Sequence, residues 1–244
     1  MENIINYYKN PDNIKKIIPY LKDRELALIV SKGYAGENQR STRHIRIRNE
    51  RDWQWWILKW SGMVDKGTHY NFYHSMATFK GGFPDLPAKH LDRRKAIETW
   101  NRHYYDNING YDCLIDIDSP THDHIYTAQE STMLIAQWLD ERHYKYEIRF
   151  TGCGFHIIIP FKEWKNLNCN PLVPHNIYLQ MKSMVNHLHD NISEYVDTTV
   201  IDSKRVAKIP NTLAIYHNKV FICTVLNYNG LVNFKIEDYE WLKK

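Results

Sequence analysis

The chain has 244 residues, 43% hydrophobic and 25% charged, with a formal net charge of +4. That is long enough to bury a core without staples and too apolar for wholesale disorder, and it holds no run of about 18 apolar residues. The start, Met1-Glu2-Asn3-Ile4, lacks a secretory pattern, and Cys113, Cys153, Cys169 and Cys223 form no CxxC pair, so the expectation is an intracellular chain with no membrane, zinc or disulfide element.

In chain order, Asn13 to Leu21 has helical spacing through Ile14, Ile17, Ile18 and Leu21, with a break at Pro19. Glu25 to Val30 reads as a strand. His44 to Arg48 alternates Ile45 and Ile47 with Arg46 and Arg48, the period of a half-exposed strand. Residues 53–60 carry Trp53, Trp55, Trp56 and Trp60 and read as a helix. From residue 110 the pattern sharpens. Cys113 to Asp118 is a strand stopped by Ser119-Pro120, and Thr127 to Glu141 is a helix. Tyr146 to Phe150 and Phe155 to Pro160 are two strands joined by the turn Thr151-Gly152-Cys153-Gly154. Pro174 to Asn191 reads as a long helix, an extended segment begins near Tyr195, and Ala214–Tyr216 pairs with Val220–Leu226. No repeat or linker divides the chain. One domain is expected: an N-terminal αβ portion, about 1–105, packed against an RRM-like antiparallel module, about 106–244, of α+β class.

Three constellations carry chemistry. In Ile115-Asp116-Ile117-Asp118, strand alternation puts both acids on one face, a pattern suited to a hard divalent cation. In Thr151-Gly152-Cys153-Gly154-Phe155-His156, glycines let backbone N–H groups approach an anion and His156 adds a donor. The third is Val196-Asp197 with Asp202, followed by the cations Lys204, Arg205 and Lys208 before Pro210. Each has a plainer reading as an edge strand, a turn or a solvated charged strand.

Together the three resemble the motifs of the archaeo-eukaryotic primase superfamily, most of all the catalytic small subunit of DNA primase, over about residues 110–215. Asp202 to Leu213 also resembles the family's segment after its third motif, with Arg205, Lys208, Pro210 and Leu213 in register. Arg24-Glu25-Leu26 and Tyr73-His74-Ser75 are weaker echoes upstream. The resemblance implies a primase-polymerase that synthesises primers on single-stranded DNA from NTPs or dNTPs, with a primase large subunit or another replication protein as a partner. It implies Mg2+ or Mn2+ held by the catalytic acids Asp116, Asp118 and Asp197, with Asp202 the alternative third ligand, because spacing in this chain is one residue short there. It implies nucleotide binding by His156, Arg205, Lys208, Thr151, Gly152 and Gly154. The zinc module often inserted in the family's small subunits is not visible. Within the superfamily a repair, translesion or end-joining polymerase is the rival, and outside it a non-catalytic RRM-like nucleic-acid-binding subunit. A haloacid dehalogenase phosphatase is disfavoured, because Pro120 stands where its DxDx[TV] motif needs Thr or Val. The five arginines between Arg40 and Arg51 suggest a template path through Arg43, Arg46 and Arg48, the last two on one strand face.

Overall fold

A computed structural model describes residues 2–32, 40–61, 68–84, 93–119, 121–164, 196–197, 204–216 and 219–241, with isolated positions between 172 and 188. The first helix, α1 (Glu2–Lys9), leads into α2 (Pro11–Ile17), which opens with Pro11 in its first turn and with the Asn10 side chain capping Asp12 N–H. Pro19 shapes the expected break into a 3-10 turn, Ile18–Leu21. Strands β1 (Leu26–Lys32) and β2 (Arg40–Ile45) precede α3 (Glu50–Ser61), whose start is capped by Asn49 Oδ1 on the N–H groups of Arg51 and Asp52. Next come β3 (Thr68–Ser75), β4 (Ala77–Phe79), α4 (Arg93–Asp106) and β5 (Ile108–Tyr111).

A second run follows: β6 (Cys113–Asp118), α5 (Ile125–Glu141), β7 (Glu147–Phe150), β8 (Gly154–Ile159), the short α6 (Phe161–Trp164) and β9 (Val196–Asp197). The chain then enters β10 (Val206–Lys208), the hairpin β11 (Leu213–Tyr216) and β12 (Lys219–Ile222), β13 (Thr224–Leu226) and α7 (Tyr228–Val232).

Two antiparallel sheets organise this mixed α/β chain. One has the order β10-β3-β1-β2 and the other β13-β7-β8-β6-β9. In the first sheet, Leu26, Leu28, Ile45 and Phe72 pack on one side with Tyr8, Ile14 and Ile17 and with Trp53, Ile57 and Trp60 of α3. In the second, Ile115, Ile117, Ile148, Phe155 and Ile157 share a core with Ile125, Ala128, Ile135 and Leu139 of α5. The period of 2 then turns Leu114, Asp116, Asp118, Ile158 and His156 to the opposite face, where Leu114 and Ile158 meet Met76 and Ala207. Burying one apolar face of each sheet leaves the polar faces to meet each other.

Two expectations change. Strand β2 ends at Ile45 rather than running through Arg48, because His44 adopts a positive φ of 67° and the β1–β2 register shifts between Leu26 and Leu28. Arg46 and Arg48 therefore lie beyond the strand and share no strand face, although Ile45 and Ile47 are both buried. The helix expected over 174–191 falls mostly outside the described residues.

Gly154 shows how tightly β8 approaches β6. A Cβ there would lie 2.1 Å from the Ile117 carbonyl oxygen, and no backbone adjustment is cheap at that contact. Gly81 has open space around it and only a positive φ of 69°. Gly154→Ala is expected to destabilise the fold by more than ~2 kcal/mol and Gly81→Ala by about 1 kcal/mol, read by urea denaturation.

Candidate active site

Register builds the site. Arg149 of β7 pairs with His156 of β8, His156 with Asp116 of β6, and Asp116 with Asp197 of β9. Directly paired residues point to the same face, so a cation, a histidine and two carboxylates form one row across four strands. The row faces the first sheet, where β10 pairs with β3 through Val206↔Ser75 and Lys208↔Tyr73. Between the two lies a cavity of about 460 Å³, lined among others by Asp116, Asp118, His156, Arg205, Lys208 and Tyr73.

Each sheet reaches into the other. Arg205, just before β10, places Nη2 3.0 Å from Asp116 Oδ2 and 3.1 Å from Asp197 Oδ2. From the opposite direction, Arg149 donates through Nη1 to the Lys208 carbonyl at 2.8 Å and meets His74 Nε2 at 2.6 Å. Burial, helped by the Arg149 charge, holds the His74 pKa well below its ordinary value. A neutral His74 accepts at Nε2 and donates from Nδ1 to the Ser75 carbonyl, 2.9 Å away. Arg149 is marked by no local pattern and His74 only by the weak upstream echo Tyr73-His74-Ser75; the two meet through pairing of distant strands.

The pKa values of the two motif acids are pushed in opposite directions. Burial opposes ionisation of Asp116, but His156 and Arg205 outweigh it and hold its pKa below the ordinary carboxylate value. Burial and then the Asp116 charge push Asp118 upward. Cys153 lies beside it, Sγ 3.6 Å from Asp118 Oδ1, and burial pushes that thiol up to about 12. His156 Nε2 stands 3.2 Å from Asp116 Oδ1, yet that oxygen and His156 Nδ1 are buried without a well-aligned hydrogen-bond partner.

Among the described residues no three potential ligands are gathered as a ready-made metal site. Asp116 and Asp197 converge instead on one positive group, the Arg205 guanidinium. The donor chemistry nevertheless fits a hard divalent cation: carboxylate oxygens on adjacent strands, one of them buried and unsatisfied, with Asp118 next on the same face. Asp202 lies outside the described residues.

The other expected residues have definite places. Lys208 is buried, its Nζ hydrogen-bonded to Asn71 Oδ1 and 5.1 Å from the centre of the Tyr73 ring. Thr151 lines the cavity and closes its turn, donating from Oγ1 to the Gly154 carbonyl at 3.1 Å. Gly152 has φ 101° and lies where a Cβ would meet Ala214 Cβ at 2.7 Å, so both glycines of the turn have packing reasons of their own. Arg43 lines the cavity and forms two 2.8 Å bonds to the Glu25 carboxylate. Arg46 donates to the Gly81 carbonyl, and Arg48 faces Asp52 at 3.8 Å. Of the four tryptophans, Trp53 and Trp60 are core while Trp55 is 55% exposed.

No family profile matches the chain, and no curated protein matches it. Among solved structures, it is similar to the polymerase domain of Ligase D from Mycobacterium tuberculosis in complex with DNA. The TM-score is 0.61 at 9% identity, covering 97% of this chain and 86% of that one. At that identity the likeness is one of fold. Among the described residues no helix is long and apolar enough to cross a membrane.

Burial lowers the Lys208 pKa to about 8, against 10.5 for a free lysine. The folded state thus binds the proton less well than the unfolded chain does, so Lys208 opposes folding fully below pH 8. That penalty fades as pH rises from 8 toward 10.5. Lys208→Met is expected to stabilise the fold at pH 7 by up to roughly 3 kcal/mol, with the gain shrinking above pH 8. Denaturation of both proteins between pH 6 and 10 measures it.

Proposed function

We propose that the chain is a template-dependent nucleotidyltransferase of the primase-polymerase kind, which synthesises primers on single-stranded DNA. The observation that carries this reading is the row Asp197, Asp116 and His156 on one sheet, roofed by Arg205 and Lys208 from the other. Carboxylates for a cation and cations for a triphosphate face one cavity, the two requirements of phosphoryl transfer. The strand order β9-β6-β8-β7 is that of an RRM-like core when those strands are numbered 4-1-3-2, and the structural neighbour is a polymerase domain bound to DNA.

In this reading Asp116, Asp118 and Asp197 hold divalent cations, Mg2+ or Mn2+. The chemistry such cations would supply is acidification of the attacking hydroxyl and neutralisation of charge on the departing pyrophosphate. The protein's part is positioning. Asp116 is kept ionised by His156 and Arg205, so it meets a cation already charged. Lys208, with a pKa of about 8, remains a cation at neutral pH, buried where its charge acts strongly on a phosphate. His156 keeps Nδ1 unsatisfied for a ligand while Nε2 faces Asp116. Arg205, which lines the same cavity, would contact the triphosphate. Thr151, Gly152 and Gly154 hold the turn that carries His156.

A second reading within the same chemistry is favoured by the neighbour itself, a ligase's polymerase domain: extension at DNA gaps or ends rather than priming. A binding subunit without catalysis gives no reason to keep Asp116 buried and charged. An assay offering single-stranded DNA, primed template and gapped duplex, with NTPs and dNTPs supplied separately, decides between the readings. Asp116→Asn and Asp197→Asn are expected to lower incorporation by roughly 10³-fold, since each removes several kcal/mol of charge stabilisation. The exposed Glu141→Gln is expected to leave it unchanged. Full activity in Asp116→Asn overturns the catalytic reading, and loss in Asp202→Asn but not in Asp197→Asn moves the third ligand.

A further inference from the structure

Glu25 is fully buried at the start of β1, away from the acid row. Its carboxylate takes Arg43 Nε on one oxygen and Nη2 on the other, each at 2.8 Å, and His44 N–H at 2.7 Å. His44 follows Arg43 in the left-handed region at φ 67°, a conformation that non-glycine residues keep only where surroundings impose it. The β1–β2 register shift lies at the same place. A buried charge and an unusual backbone together fix one arginine.

The remaining arm of Arg43 shows what is fixed. Its Nη1 donates to the Lys204 carbonyl at 3.0 Å. The next carbonyl, that of Arg205, accepts from Met76 N–H at 2.9 Å. Arg205 is thus held by its backbone on both sides before its side chain crosses to Asp116 and Asp197. Arg43 also lines the cavity, so the brace ends at the site it serves.

We propose that Glu25 and Arg43 are positioning residues: the Glu25–Arg43 ion pair clamps the Lys204 carbonyl and so sets the Arg205 guanidinium over the acid row. The proposal rests on the nucleotidyltransferase reading and adds to it the source of Arg205's placement. Arg43 acts on nucleotide binding through Arg205 rather than as a general template contact. Glu25 acts through Arg43.

The test is a double-mutant cycle on nucleotide binding, with a fluorescent nucleoside triphosphate titrated in Mn2+ and thermal melting recorded for every variant. Arg43→Met is expected to weaken binding about tenfold, as for loss of a charge-assisted hydrogen bond. Glu25→Gln, which keeps the shape of the side chain, is expected to weaken it severalfold. In an Arg205→Ala background the same two changes are expected to have less than about a twofold effect, because contacts acting through one group are not additive. Equal losses in both backgrounds mean general damage and overturn the proposal, as does unchanged binding in Arg43→Met. If Arg43→Met melts far below the wild type, the Glu25→Gln cycle decides on the same criterion. A wild-type protein that binds no nucleotide overturns the nucleotidyltransferase reading and this proposal with it; binding with an additive cycle overturns this proposal alone.

Discussion

Asp116 and Asp197 stand directly opposite each other on adjacent strands, an arrangement that repels unless something positive is brought to it. Among the described residues, the second sheet brings His156 and, one strand further, Arg149. The bridging charge comes from the first sheet, where Arg205 lies 3.0 and 3.1 Å from the two carboxylates. In exchange the second sheet sends Arg149 to the Lys208 carbonyl and to His74. Polar faces that could not be left buried are satisfied only by each other, so the electrostatics of the site and the docking of the two sheets are one constraint. The cavity is the part of that junction which side chains do not fill.

The arrangement is costly in places where function would want it to be. Buried Lys208, buried Glu25 and a left-handed His44 each oppose stability; Lys208 lines the cavity, and the other two flank Arg43, which lines it as well. Environment also separates the two motif acids, lowering the pKa of Asp116 while raising that of Asp118. A cation placed among them would favour the ionised form of both. Apolar packing on the outer faces, α3 behind one sheet and α5 behind the other, supplies the rigidity that these polar interiors do not.

Local pattern made much of this legible. Alternation marked β6 and its two acids, helical spacing marked α5 and α3, and the Gly-Cys-Gly turn marked the β7–β8 hairpin with His156 at its return. Two features escaped because they depend on pairing between distant segments. Strand β10 joins β3, more than a hundred residues upstream, and thereby puts Arg205 and Lys208 opposite the acids. The alternation at Ile45 and Ile47 suggested a strand through Arg48, but the left-handed His44 ends it at Ile45 and turns Arg43 inward to Glu25. Glu25 lies in the weak echo Arg24-Glu25-Leu26 and Arg43 among the arginines read as a template path, but nothing local shows that the two form a buried ion pair. Gly154 was legible as a turn residue, but its need for a missing Cβ comes from the Ile117 carbonyl across the sheet.

In this reading the row of acids binds a divalent cation together with a nucleotide. Electron paramagnetic resonance of Mn2+ in the presence of a nucleoside triphosphate tests this without requiring turnover. The account predicts that the free Mn2+ signal falls on adding the wild-type protein and stays near its protein-free level with Asp116→Asn. An equal fall in both proteins, or none in either, would contradict it.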